Sequence, residues 1–203
     1  MINAIPGNDF DLSTIRKLLI IRAVEQLMDE VSFDDLTVKM ICEKVEISRQ
    51  TFYRHFQDKY DMAPWYWNLI ANEYLAKTGC GLSWYEGNYY MLCTFKEHQN
   101  FFTYFYRTDS HEYGIFRKHS FRQRSSFLKE TIVGVLGKDA LTPDLEFQIE
   151  FFADAESREV ERWTMRGMDT PPERMAELFE KCVPPELHEA IERAEKIVIA
   201  QNH

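Results

Sequence analysis

The sequence predicts an all-α protein, and three observations carry that reading. Apolar residues recur at three- and four-residue intervals through most of the chain. Capping Ser, Thr or Asp residues and first-turn prolines stand ahead of those stretches. No alternating apolar–polar run makes a persuasive strand between them.

Residues 1–12, with Pro6, Gly7, Asn8 and Asp9, read as a loose arm. A first helix is expected from Ser13 to about Val31, because Leu19, Ile20, Ala23, Val24, Leu27, Met28 and Val31 form one stripe. Phe33 and Leu36 then close a small three-helix core. Thr37 caps the second helix, whose apolar face is Val38, Ile41, Cys42 and Val45. Ser48 caps a third, short helix that turns Phe52 and Phe56 inward. Its other positions, Arg49, Gln50, Tyr53 and Arg54, face outward. Arg and Gln are the side chains that make paired contacts to guanine and adenine edges in the major groove. Two short helices, the second carrying such residues, make a helix-turn-helix.

The chain beyond reads as a helical bundle. Asp58 is placed to cap a connecting helix running toward Thr78, with Pro64 near its start marking a late beginning or a kink. Gly79, Gly81, Ser83, Gly87 and Asn88 mark a break. Helices follow at about 86–97, 98–107 and 111–136 in an aromatic tract that runs from Trp84 to Phe127. A long helix is expected at about 142–166, another from Pro171-Pro172 to Cys182, and a last one over about 186–200.

The run Thr37-Val38, Ile41, Val45-Glu46-Ile47-Ser48, then Thr51-Phe52-Tyr53-Arg54-His55-Phe56 and Lys59, resembles the DNA-binding domain of the tetracycline-repressor (TetR/AcrR) family. The resemblance covers about the first sixty residues. It implies a DNA-binding domain at residues 1–57 and a helical effector-binding and dimerisation domain at 58–203. It further implies a ligand-responsive repressor that binds a near-palindromic double-stranded operator as a homodimer through its C-terminal helices. Carried onto this sequence, the DNA-contacting set is Thr37, Lys39, Ser48, Arg49, Gln50, Thr51, Tyr53, Arg54, His55 and Lys59. Thr37, Tyr53 and Lys59 match phosphate-contacting positions, whereas Arg49 and Gln50, with His55 and Thr51, suit base edges. Two residues depart from the family pattern: Ser32 and Glu46 stand where Gly is usual. Glu46 in a left-handed turn would cost about 1 kcal/mol.

The aromatic tract suits either a packed bundle core or a cavity. If a cavity, its expected lining is Trp67, Tyr90, Phe105, Tyr113 and Phe116. The effector is accordingly either a small molecule or, if the core is filled, a protein partner. Arg117, Lys118, Arg122, Arg124 and Lys129 suit either an anion site or a solvated face.

A net charge of −9 argues against a general nucleic-acid coat, but charge is unevenly spread. Residues 37–59 hold five basic against three acidic side chains, and residues 144–196 hold fifteen acidic against seven basic. A local basic footprint on an acidic body suits an operator-bound regulator. The four cysteines, Cys42, Cys80, Cys93 and Cys182, have no CxxC spacing and are expected as free thiols in a reducing cytoplasm. No metal motif, no phosphate loop and no nucleophile–base pair points to an enzyme or to a cofactor. Neither a signal peptide nor a membrane span is read from the sequence.

Overall fold

The apolar stripes become ten α-helices in a computed structural model that describes residues 10–107 and 113–201, the side chains of 113–119 excepted. These are α1 (Leu12–Met28), α2 (Val38–Val45), α3 (Arg49–Tyr53), α4 (Met62–Ile70), α5 (Trp84–Glu97), α6 (Gln99–Arg107), α7 (Tyr113–Leu136), α8 (Pro143–Met165), α9 (Pro172–Cys182) and α10 (Pro185–Gln201). The described residues hold no β-strand. Pro143, Pro172 and Pro185 each open a helix, where a missing amide hydrogen costs nothing. Ser83 and Glu86 form a reciprocal capping box at the start of α5.

The connecting helix differs from the sequence expectation. It starts at Met62, because the Asp58 carboxylate accepts from the Tyr60 and Asp61 amides and holds the preceding residues in a turn. Pro64 thus falls in the first turn and bends nothing. The irregularity comes later, where Ala71–Leu75 widens into a π-helical turn, with Ala76 N donating to Ala71 O at 2.8 Å.

Two apolar clusters fill the molecule. One runs from Ile20, Ile41 and Phe52 through Trp67, Phe95 and Phe102 to Trp163 and Phe179, joining the first three helices to the body without a break. The second holds α7, α8 and α10 together through Leu128, Ile132, Ile149, Phe152, Leu187 and Ile191. The end of the connector is pressed against α5: a Cβ on Gly87 would lie 2.8 Å from Thr78 Oγ1 and 3.1 Å from Tyr74 O.

Two basic residues of α7, Arg124 and Lys129, are engaged by α8, whereas Arg122 is exposed. Arg124 is 2% exposed and donates from Nε to Glu156 Oε2 at 2.7 Å, with its guanidinium 4.8 Å from the Trp84 ring centre. The same guanidinium reaches Leu75 O and Thr78 Oγ1 at the connector's end. Lys129 bonds Glu146 and Glu150. These two are therefore ion-pair partners of α8, whereas Arg117 and Lys118 have side chains outside the described residues.

Candidate nucleic-acid interface

The turn between α2 and α3 is built by three local devices. Thr37 Oγ1 accepts from Met40 N at 3.2 Å, and Ser48 Oγ accepts from Thr51 N at 3.0 Å. These bonds satisfy amides that lack a partner within their own helix. Between them Glu46 adopts φ 58° and ψ 44°, so Ile47 N can return to Cys42 O at 3.0 Å. That conformation suits Gly, which has no Cβ to clash. Glu46→Gly should therefore stabilise the protein by about 1 kcal/mol, measured as a raised denaturation midpoint. An unchanged or lowered midpoint would mean that the side chain compensates the strain.

Phe52 is fully buried and Phe56 nearly so, which orients α3. Lys17 of α1 lies over the rings of Phe56 and of Trp65 from α4, at 5.4 and 4.9 Å, tying the first helix to the connector. Arg49, Gln50, Tyr53 and Arg54 are then left exposed, Tyr53 at 56%. Thr37, Lys39 and Ser48 are exposed too, Lys39 in a loose pair with Glu43 at 3.7 Å. Thr51 and His55 are half-buried. His55 faces Arg16, Lys17 and Arg54, and burial together with these charges holds its imidazole below the ordinary histidine range.

Lys59 is placed otherwise than the resemblance implies. The residue is 9% exposed, and its ammonium donates to Phe33 O at 2.7 Å, Asp34 O at 2.7 Å and Leu36 O at 2.8 Å. Burial pushes its pKa down, opposed by the Asp34, Asp35 and Asp58 carboxylates. All three ammonium hydrogens are engaged by the α1–α2 loop, so none is left for a phosphate.

Of the aromatic residues expected around a cavity, Trp67 and Phe105 are packed away in the core. Trp67 and Phe105 are 4% and 1% exposed. Trp67 meets the Phe95 ring edge-on at 5.8 Å, and Phe105 packs on Phe33 at 5.0 Å and Phe101 at 4.8 Å. Phe95 and Phe102 stack at 3.9 Å between these. Tyr90 lines a surface groove of about 260 Å³, beside Glu73, Tyr74 and Lys77. Tyr113 and Phe116 have side chains outside the described residues. Around Phe95 and Phe102, flat rings at these separations leave no room between them. Cys42 is buried and Cys182 exposed, and all four cysteines are free thiols. No helix among the described residues is long and apolar enough to cross a membrane.

The first three helices and the loop after α1 are joined to the body by three polar side chains. His98 Nδ1 meets Glu25 Oε1 at 2.5 Å, Tyr104 donates to Asp34 at 2.5 Å, and Asn100 donates to Asp29 at 3.4 Å. All three come from α6 or the residue before it, and no spacing in the sequence signals such pairs.

Comparison with known proteins follows this geometry. The profile of bacterial regulatory proteins of the tetR family matches residues 20–64, which include α2, α3 and their caps. The profile of a transcriptional regulator C-terminal region of the same family matches residues 83–184, half of the chain. Among solved structures, a dihydroxyacetone kinase operon activator, DhaS, is similar with a TM-score of 0.64 at 19% identity, over 84% of this chain and 94% of that one. The TetR family repressor AlkX from Dietzia sp. strain DQ12-45-1b is similar with a TM-score of 0.50 at 14% identity, over 91% of this chain and 100% of that one. At such identities these two likenesses speak for the fold alone. No curated protein matches the sequence. With a capped helix-turn-helix presenting a polar recognition face, and both halves of the chain matched, the protein belongs to the TetR family of transcriptional regulators and carries that family's DNA-binding domain.

Proposed function

We propose that the chain works in the cytoplasm as a two-fold dimer that represses transcription from a near-palindromic operator, and that an effector acting on the body releases it. Residues 1–57 form the reading unit and 58–203 the controlling one. The observation that carries the DNA reading is the exposed Arg49, Gln50, Tyr53 and Arg54 face on a helix whose opposite side is buried through Phe52 and Phe56. With α3 in the major groove, Arg49 and Gln50, with Thr51, read base edges, while Thr37, Lys39, Ser48 and Tyr53 hold the backbone. Selection of bound sequences from random duplex DNA tests this, and the expected product is an inverted repeat. Arg49→Ala should weaken operator binding by about 1–3 kcal/mol and relax one base preference in each half-site. Unselective enrichment would overturn the reading.

The dimer is supported by α8, where Phe147 and Phe151 are 69% and 68% exposed and stack on each other at 6.2 Å. Two neighbouring phenylalanines in water suit a surface that another copy would cover. Phe147→Asp with Phe151→Asp should leave the helical content intact and shift the protein to monomer in sedimentation at micromolar concentration. Each lost ring removes about 1.5–3 kcal/mol of burial. A dimer of unchanged strength would place the interface elsewhere.

A second reading of the effector, a protein partner in place of a small molecule, is supported by the close ring packing at Phe95 and Phe102. A metabolite screen by thermal stabilisation distinguishes the two. A small-molecule inducer must bind more weakly once operator is present, by the same factor by which it weakens operator binding.

A further inference from the structure

Two attachments hold the reading unit on the body, and they differ in kind. Toward α4 the attachment is apolar, with the Phe56 ring meeting Trp65 edge-on at 5.8 Å. Toward α6 it is polar and directional. Glu25 on α1, Asp29 at its C-cap and Asp34 in the following loop present three carboxylates. His98, Asn100 and Tyr104 meet them in that order, at 2.5, 3.4 and 2.5 Å. From position 98 to position 104 these contacts are spread over about 9 Å of helix. Apolar contact has no preferred direction, so packing alone lets one helix turn or slide on another. Hydrogen bonds weaken steeply as their angle closes, so three of them along one helix fix how α1 lies on α6. The same segment is anchored on its other side. Lys96 donates to Met168 O at 2.7 Å and Gln99 to Gly167 O at 3.2 Å, just beyond the end of α8. α8 is an unbroken helix of 23 residues, about 34 Å long, with Phe147 and Phe151 exposed toward its other end. A stiff path therefore runs from the exposed phenylalanine pair along α8 and through residues 96–104 to α1.

We propose that His98, Asn100 and Tyr104 are positioning residues that set which half-site spacing the dimer accepts. They hold each reading unit at one angle on its body, and so hold the two recognition helices at one separation. The proposal rests on the dimeric DNA-binding reading above and adds to it a determinant of specificity that touches no DNA. One extra base pair between the half-sites moves one of them by about 3.4 Å along the duplex and turns it by about 35°. A reading unit held by apolar packing alone can follow that shift, whereas a clamped one must first break its clamp. Each hydrogen bond of this kind favours the docked arrangement by about two- to tenfold, so three together favour it on the order of a hundredfold. The Tyr104 ring also packs on Phe33 at 4.6 Å, a contact that survives removal of the hydroxyl.

The test uses the full chain and a set of duplexes: the operator recovered by selection, the same with one central base pair inserted or deleted, and the same with one half-site scrambled. Wild type should bind the respaced duplexes on the order of a hundredfold more weakly than the operator. The variant carrying His98→Phe, Asn100→Ala and Tyr104→Phe should bind the operator within about tenfold of wild type and lose no more than about tenfold on respacing. Tyr104→Phe alone keeps its ring in place and should cut the respacing penalty about threefold, with an unchanged melting curve. Asp34→Ala should match it, and Asp34→Asn, which leaves an acceptor for the hydroxyl, should keep the wild-type penalty. A merely structural contact would weaken every duplex by one factor and leave the penalty as it was. A wild-type penalty in folded Tyr104→Phe, or wild-type protein indifferent to spacing, would overturn the proposal. Wild-type protein that tolerates the scrambled half-site would overturn the dimer reading, and protein that binds no duplex the DNA-binding reading, each taking the proposal with it.

Discussion

Lys59→Met should destabilise the first three helices by about 3–5 kcal/mol, the cost expected when a buried charged donor is removed from its acceptors. The ammonium holds the carbonyls of Phe33, Asp34 and Leu36, and it lies 5.0 Å and 5.2 Å from the ring centres of Phe33 and Tyr60. Methionine fills much of the space but donates nothing, so Asp34 O and Leu36 O lose that donor. The loop between α1 and α2 would then loosen, and with it the position of Thr37, the cap of α2. DNA binding should fall in step with stability, with the salt slope of the remaining binding unchanged. A phosphate contact gives the opposite pattern: normal stability and a slope lower by about one. Chemical denaturation beside a salt titration separates the two, and a stable variant with a reduced slope would return Lys59 to the DNA.

Arg124→Met alone should cost about 3–5 kcal/mol, whereas Arg124→Met with Glu156→Leu should cost far less or nothing. Both side chains are nearly sealed from water, at 2% and 4% exposure. Removing the arginine strands a carboxylate in the apolar packing between α7 and α8; removing both charges leaves side chains that fit it. The double-mutant cycle should therefore show strong coupling, read from the shifts in denaturation midpoint. Additive effects would mean that water reaches the pair. Because Arg124 also holds Leu75 O and Thr78 Oγ1, the paired replacement should free the connector's far end while keeping the fold. Faster hydrogen exchange at Ala76 and Thr78 in the double variant is the expected sign.

By itself the sequence determined what depends on near neighbours. The caps at Thr37 and Ser48, the outward Arg49–Gln50 face and the proline-opened helices α8, α9 and α10 all follow from interactions within about four residues, where spacing and chemistry coincide. The tertiary structure alone decided where long side chains find their partners. Lys59 reaches carbonyls 23 to 26 positions away and Arg124 a carboxylate 32 positions away, and no periodicity links residues so far apart. It also decided that the aromatic tract is packed at Phe95 and Phe102, since one aromatic stripe lines a cavity or fills a core according to how closely its neighbours approach. Phe147 and Phe151 show the same division: their sequence says that they are apolar, and only the packing of Leu145, Ile149 and Phe152 inward leaves those two facing out.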